Sequence, residues 1–133
     1  MGVILDTSVL ILVERRSLEM HRLAAGRESE PFGIAAITAA ELLHGVHRAD
    51  SEKRRLAREA FVEKALSLFP VYPFDLNVGR IYARIWADLA RRGTRIEAHD
   101  LMIASTAICL GFSVVTADLR DFGRIRGLSV ERL

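Results

Sequence analysis

The sequence lacks several features that would place it in a specialised class of protein. Cys109 is the only cysteine among 133 residues, which excludes an internal disulfide and a cysteine-based zinc site. Because it falls in the apolar run Leu101–Leu110, we expect it to be a small core residue. No apolar run approaches the ~20 residues of a transmembrane helix, and a strand expected at residues 3–5 leaves no room for a signal peptide. The sequence favours a cytoplasmic protein with no membrane partner.

An excess of one charge is also missing. The formal net charge is only +2, which by itself does not indicate a nucleic-acid partner. All of the basic residues except Lys53 and Lys64 are arginine, a side chain suited to bidentate phosphate contacts. The densest basic run, from Lys53 to Arg58, is expected to be a solvated helix face. Candidates for phosphate contacts lie instead near acidic residues, at Arg95, Arg120 and Arg124.

Short apolar runs alternate with helical patterns along the whole chain. The predicted strands are Val3–Leu5, Phe32–Ile37, Val71–Phe74, Phe112–Thr116 and Leu128–Val130. The predicted helices are Thr7–Glu14, Ser17–Ala25, Thr38–Arg48, Ser51–Phe69, Asp75–Arg92 and Leu101–Leu110. This alternation predicts a parallel sheet with helices on both faces, the doubly wound α/β class. In such sheets ligands bind beyond the carboxyl ends of the strands.

Four acidic residues follow apolar segments at the positions where that rule places a ligand. Asp6 follows the first strand, Glu41 lies one turn into the helix after the second, Asp100 opens an apolar helix and Asp118 closely follows the fourth strand. Because the carboxyl ends of parallel strands share one edge, we expect these acids to converge. Their mutual repulsion would raise their pKa values and destabilise the fold. Mg²⁺ or Mn²⁺, which prefers carboxylate oxygens, would remove that conflict.

Each acid also has a simpler explanation when it is taken alone. Asp6, Asp100 and Asp118 could cap helical turns. Thr38 and Glu41 have the spacing of a capping box, in which the glutamate bonds back to the threonine N–H. The pattern therefore supports an acidic metal site without excluding helix caps.

Four segments together give the sequence a family resemblance. In order, they are Ile4-Leu5-Asp6-Thr7-Ser8, Thr38-Ala39-Ala40-Glu41-Leu42, Ala98-His99-Asp100-Leu101-Met102-Ile103-Ala104 and Val115-Thr116-Ala117-Asp118-Leu119-Arg120-Asp121-Phe122. Their order and spacing resemble those of PIN-domain ribonucleases, and most of all the VapC toxins of bacterial toxin–antitoxin pairs. The resemblance covers essentially the whole chain. It implies a three-layer α/β/α sandwich with a central parallel sheet, built as a single nuclease domain over residues 1–133.

The resemblance also implies a function and the residues that carry it. A VapC-like protein would be an Mg²⁺- or Mn²⁺-dependent endoribonuclease acting on tRNA, rRNA or mRNA. It would form a homodimer and would bind a cognate VapB-like antitoxin. The catalytic metal ligands carry over to Asp6, Glu41, Asp100 and Asp118, with supporting roles for Thr7, Ser8, Thr116 and Asp121. Many members have asparagine where this chain has Asp118, so Asp121 is the alternative fourth ligand.

Two other classes of function remain open from the residues alone. The first is an inactive α/β module that uses the acidic sheet edge to hold a cation or a basic peptide. The second is a phosphohydrolase or a receiver domain, in which an early strand also ends in aspartate. The second class is disfavoured because no acidic residue is paired with Asp6, and Ser8 stands where a phosphatase would carry its second aspartate.

Overall fold

The computed structural model describes residues 1–15, 19–23 and 25–133. Within these ranges the strands are β1 (Val3–Leu5), β2 (Phe32–Ala35), β3 (Val71–Tyr72), β4 (Ser113–Thr116) and β5 (Val130–Arg132). The helices are α1 (Thr7–Glu14), α2 (Met20–Leu23), α3 (Ala36–His47), α4 (Glu52–Leu68), α5 (Leu76–Arg91) and α6 (Ala98–Leu110). A short 3₁₀ turn at Phe122–Arg124 precedes β5.

The strands form one parallel sheet in the order β3-β2-β1-β4-β5. The chain builds outward from β1 to β3 and then returns to the other side of β1 to add β4 and β5. The order therefore reverses between β1 and β4, where Val3 pairs with Ser113 and Leu5 pairs with Val115. A crevice at the carboxyl end of a sheet at such a reversal is the usual ligand site of this fold class.

Helices cover both faces of the sheet, because neighbouring strand residues point to opposite sides. Ile4 and Val114 pack on one face with residues of α5 and α6. Val3 and Leu5 pack on the other face with residues of α1, α3 and α4. The strands β1 and β4 are buried along their length, as expected of central parallel strands. The predicted three-layer α/β/α sandwich is confirmed.

The predicted helix ends are mostly correct where a polar cap or a glycine marks them. Asp75 accepts a hydrogen bond from the N–H of Val78 at 3.0 Å, and Ser51 caps α4 in the same way. Gly111 ends α6 in the left-handed conformation, with φ of 70°, which glycine adopts without steric cost. The prediction of a helix at residues 17–25 holds for Met20–Leu23, while residues 17, 18 and 24 lie outside the described residues.

Several boundaries differ from the predictions where apolar residues continue across a junction. The second strand stops at Ala35, and Ala36 already belongs to α3. The last strand is Val130–Arg132 rather than residues 128–130, because backbone pairing with β4 sets its position. Cys109 is exposed, so its prediction as a core residue was wrong. The buried residues of α6 are Leu101 and residues 103–107, which end before Cys109.

No helix among residues 1–15, 19–23 and 25–133 is long and apolar enough to cross a membrane.

Candidate functional site

A pocket of about 240 Å³ opens at the carboxyl ends of β1 and β4, where the strand order reverses. It collects all of the acids that the sequence singled out, although they come from four separate segments. Its lining consists of Asp6, Thr7, Ser8, Ile11, Glu41, Asp100, Asp118, Asp121 and Phe122. We call this feature the acidic pocket.

Asp6 is held at the end of β1 by two hydroxyl groups. Its side chain is only 6% exposed. Ser8 donates to Oδ2 of Asp6 at 2.7 Å, and Thr116 at the end of β4 donates to the same oxygen at 2.8 Å. Asp6 occupies the N-cap position of α1 but makes no side-chain capping bond. The neutral donors fix its carboxylate without cancelling its charge.

Glu41 is fixed from α1 rather than by its own helix. Thr7 donates to Oε1 of Glu41 at 2.9 Å, and the Thr7 hydroxyl also lies 3.1 Å from that of Thr38. Nδ1 of His99 is 3.5 Å from Oε2 of Glu41. Thr38 is buried inside α3, whose N-cap is Ala35. The capping-box explanation of Thr38 and Glu41 is therefore wrong.

Asp100 lies in the first turn of α6 and faces the other acids. Its carboxyl is partly buried, and this burial is the main cause that raises its pKa to about 7. The negative charges of Asp6, Glu97, Asp121 and Glu41 raise it further, in that order. Like charges that converge without a counter-charge disfavour ionisation in this way. Asp100 sits inside the helix and is not its cap.

Asp118 and Asp121 both line the acidic pocket but have different surroundings. The Asp118 carboxylate is exposed and accepts two bonds from the Arg120 guanidinium, at 3.2 and 3.0 Å. Those hydrogen bonds hold the pKa of Asp118 below its usual value. Asp121 is half-buried, and its charge acts on Asp100. The charge of Asp121 therefore acts on Asp100, whereas the carboxylate of Asp118 is paired with Arg120.

The chemistry of the lining fits a hard divalent cation. It offers carboxylate oxygens and hydroxyls, the donors that Mg²⁺ and Mn²⁺ prefer, and the pKa of Asp100 is raised by burial and then by the neighbouring negative charges. Among the described residues, no three His, Cys, Asp or Glu side chains already stand in an arrangement that could hold a metal ion. The acids share a pocket but do not form a closed coordination shell.

Some contributors to the site were not predicted. Glu97 adds negative charge near Asp100, and its position as the N-cap residue three residues before Asp100 was the signal that could have revealed it. Ile11 and Phe122 form apolar walls, but such side chains give no sequence signal that separates them from the core. The hydroxyls of Thr7, Ser8 and Thr116 do contact the acids, as the resemblance implied.

The fold and the site together define a class: a doubly wound α/β protein with an acidic pocket at its topological switch point. The family model for the PIN domain matches residues 3–128. This chain belongs to the PIN domain family.

Its similarity to known members extends over nearly the full length of each protein. The chain is 39% identical to "Ribonuclease VapC1" of Rickettsia felis, over 98% of this chain and 95% of that protein. It matches the crystal structure of DNA-bound VapBC from Salmonella typhimurium with a TM-score of 0.87 and 32% identity, covering 99% and 98% of the two chains. It also matches VapBC-5 from Mycobacterium tuberculosis, a member of the VapBC family of toxin–antitoxin systems, with a TM-score of 0.75 and 32% identity, covering 99% and 96%.

Proposed function

We propose that this chain is a divalent-metal-dependent endoribonuclease of the VapC type, the toxin of a toxin–antitoxin pair. The observation that carries this proposal is the convergence of Asp6, Glu41 and Asp100 with Asp118 and Asp121 in one pocket of a PIN fold. The similarity to a protein named ribonuclease, over almost the whole chain, supports the same activity.

In this proposal, Asp6, Glu41, Asp100 and Asp118 hold Mg²⁺ or Mn²⁺, with Asp121 assisting or replacing Asp118. When bound, the cation lowers the pKa of a water and neutralises charge that develops on the phosphate. The protein's own contribution is positioning. The hydroxyls of Ser8 and Thr116 hold Asp6 from one side, so that its carboxylate does not rotate away from the pocket.

The remaining residues of the pocket support the same chemistry. Thr7 fixes Glu41 across the gap between α1 and α3. The apolar side chains of Ile11 and Phe122 bound the pocket and limit the water around the reacting phosphate, which strengthens electrostatic interactions there. No histidine base would be needed, because a divalent cation held by these carboxylates would supply that activation of water.

The proposal extends to partners and cellular context. A VapB-like antitoxin is the expected partner, since the similar solved structures are VapBC assemblies. We propose that the chain acts in the cytoplasm as a homodimer, and that residues 1–133 form one nuclease domain. The RNA substrate is a tRNA, rRNA or mRNA.

The proposed activity is tested by incubating the purified chain with RNA in Mg²⁺, Mn²⁺ or EDTA and by analysing the ends of the products. We expect the chain to cleave RNA in Mg²⁺ or Mn²⁺ but not in EDTA. The downstream product should carry a 5′-phosphate, because metal-activated water does not need the 2′-OH. An RNA with a 2′-O-methyl group at the cut position should still be cleaved if the methyl group fits. Products with a 2′,3′-cyclic phosphate, or cleavage that persists in EDTA, would exclude this mechanism. Absence of cleavage would favour an inactive binding module.

A further inference from the structure

A second cleft lies beside the acidic pocket and has the opposite charge. It has a volume of about 550 Å³ and is lined by the end of α5, the α5–α6 loop and the segment 123–126. Four arginines surround it: Arg92, Arg95, Arg124 and Arg126. We call this feature the basic cleft.

Two of the four arginines have structural partners. Arg92 pairs with Asp88 at 3.0 Å and donates to the carbonyl oxygen of Arg124 at 3.1 Å, which ties the end of α5 to the segment after the 3₁₀ turn. Arg126 lies 3.7 Å from the other oxygen of Asp88. One carboxylate thus serves two guanidinium groups, so the cleft keeps a net positive charge.

The other two arginines have no close ion pair in the described part of the chain and are available to a ligand. Arg95 is exposed and forms no ion pair with any residue in the described ranges. Arg124 is 54% exposed at its side chain, and its ion pair with Asp121 is long, at 4.0 Å. Exposed pairs of this kind contribute little energy, so a phosphate can displace it.

The linings of the basic cleft and the acidic pocket meet at Arg124 and Asp121, which lie 4.0 Å apart. Asp121 and Phe122 line the pocket, whereas Gly123 and Arg124 line the cleft. A polyanionic strand that leaves the acidic pocket on this side passes next to these arginines. The guanidinium geometry matches phosphate oxygens bidentately, and the positive charge offsets the repulsion between the strand and the carboxylates.

The arginines of α4 show what a purely structural cluster looks like in the same molecule. Arg54 pairs with Asp50 at 2.9 Å, and Arg55 pairs with Glu52 and Glu59 at 2.6 and 2.8 Å. Each of these guanidinium groups is matched by carboxylates on its own helix or just before it. The α4 arginines therefore provide a control of equal charge.

We propose that the basic cleft binds backbone phosphates of the RNA strand next to the bond that is cut in the acidic pocket, with Arg95 and Arg124 as the donors. This inference rests on the proposed ribonuclease function. It adds a phosphate-binding subsite on the side of the acidic pocket where residues 123–126 lie. Arg92 positions the segment that carries Arg124.

The test measures RNA binding separately from cleavage. A fluorescein-labelled oligouridine of about 15 nucleotides, within the site sizes of single-strand binding proteins, is titrated with the full chain in EDTA at several salt concentrations. The double variant Arg95→Ala/Arg124→Ala should bind at least about tenfold more weakly. Its slope of log affinity against log salt should flatten by about 0.7 for each arginine. The control Arg54→Ala/Arg55→Ala, with the same loss of charge, should bind like the wild type.

Three further measurements sharpen the result. Arg95→Lys/Arg124→Lys should restore the salt slope because the charge is kept. With Mn²⁺, the double alanine variant should raise KM while kcat changes little, because a phosphate that takes no part in the reaction is bound equally in the ground and transition states. Polyglutamate should displace the labelled RNA from the wild type no more effectively than from the double alanine variant.

The proposal is overturned if the cleft and α4 variants lose affinity equally, or if the cleft variant binds RNA like the wild type. It is also overturned if the cleft variant loses only polyglutamate binding, which would assign the cleft to an acidic peptide. A wild-type chain that cuts no RNA in the separate Mn²⁺ assay overturns the proposed function instead, so the two failures are distinguishable.

Discussion

The acidic pocket and the basic cleft both concentrate charge of one sign, but the protein holds the two sets of side chains differently. In the pocket, Asp6 and Glu41 are fixed by neutral hydroxyls, so their negative charge remains. In the cleft, Asp88 binds two of the arginines, and part of the positive charge is cancelled. We infer that the two regions have separate functions: the pocket binds a cation and supports turnover, whereas the cleft contributes affinity for a polyanion.

The largest effect should come from removing one carboxylate of the pocket. We expect Asp100→Asn to reduce RNA cleavage by at least about a hundredfold, because a neutral amide is a poor ligand for a hard cation. RNA binding in EDTA should stay as tight as in the wild type or tighter, because a negative charge has been removed. Cleavage rates and anisotropy titrations on the same preparation check both parts.

The matched control is Asp50→Asn, which removes a carboxylate that pairs with Arg54 on the surface. It should leave cleavage unchanged. If Asp100→Asn weakened RNA binding and left kcat intact, the inference that the two regions have separate functions would be wrong.

A smaller effect should rank the two acids at the rim of the pocket. The sequence places Asp118 nearer the end of β4, but Arg120 holds its carboxylate, and Asp121 acts on Asp100 directly. We therefore expect Asp121→Asn to raise the metal concentration needed for half-maximal cleavage more than Asp118→Asn does, with the larger shift approaching a hundredfold. Metal titrations of the initial rate give the order: the expected ranking would mean that Asp121 replaces Asp118 as the fourth ligand, and the reverse ranking would assign that role to Asp118.

A hydroxyl that only positions a ligand should matter less. Thr116→Val keeps the shape of the side chain but removes the donor to Oδ2 of Asp6. We expect about a tenfold loss of metal affinity with a smaller change in kcat at saturating Mn²⁺. Recovery of the rate at high metal concentration distinguishes a positioning residue from a ligand. A loss of kcat that no metal concentration restores would contradict this role.

The smallest effect concerns stability without metal. The raised pKa of Asp100, about 7 against an ordinary value of 3.8, means that the folded chain holds this proton more tightly than the unfolded chain does. In EDTA its contribution to stability is therefore fully present below about pH 4 and is lost as the pH rises through about 7. In thermal melts across this pH range, the Tm of the wild type should therefore fall relative to the Tm of Asp100→Asn.

Metal should oppose this loss of stability at neutral pH. Binding contributes RT ln(1 + [L]/Kd), about 2.7 kcal/mol at a hundredfold excess over Kd, so Mn²⁺ should raise the wild-type Tm by several degrees. The Tm of Asp100→Asn should respond much less. Equal responses of the two proteins to Mn²⁺ would show that Asp100 does not bind the cation.

The sequence predicted the convergence of the acids better than it predicted the exact boundaries of some elements. Asp6 and Asp100 could be placed because each adjoins an apolar segment of a recognisable type. The start of α3 could not, because Ala35, Ala36 and Ile37 are all apolar and no polar cap separates strand from helix. Cys109 was misplaced because the apolar run around it extends one turn beyond the buried face of α6.

The sequence by itself determined the alternation of strands and helices and the identity of the acids, because burial periodicity and helix caps are local signals. Only the tertiary structure decided which charges meet. The influence of Asp121 on Asp100 and the separation of the cleft arginines from those of α4 depend on side-chain directions and on contacts across more than one element. Electrostatic interactions fall off with distance and depend on burial, and neither quantity can be read from the spacing of residues along the chain.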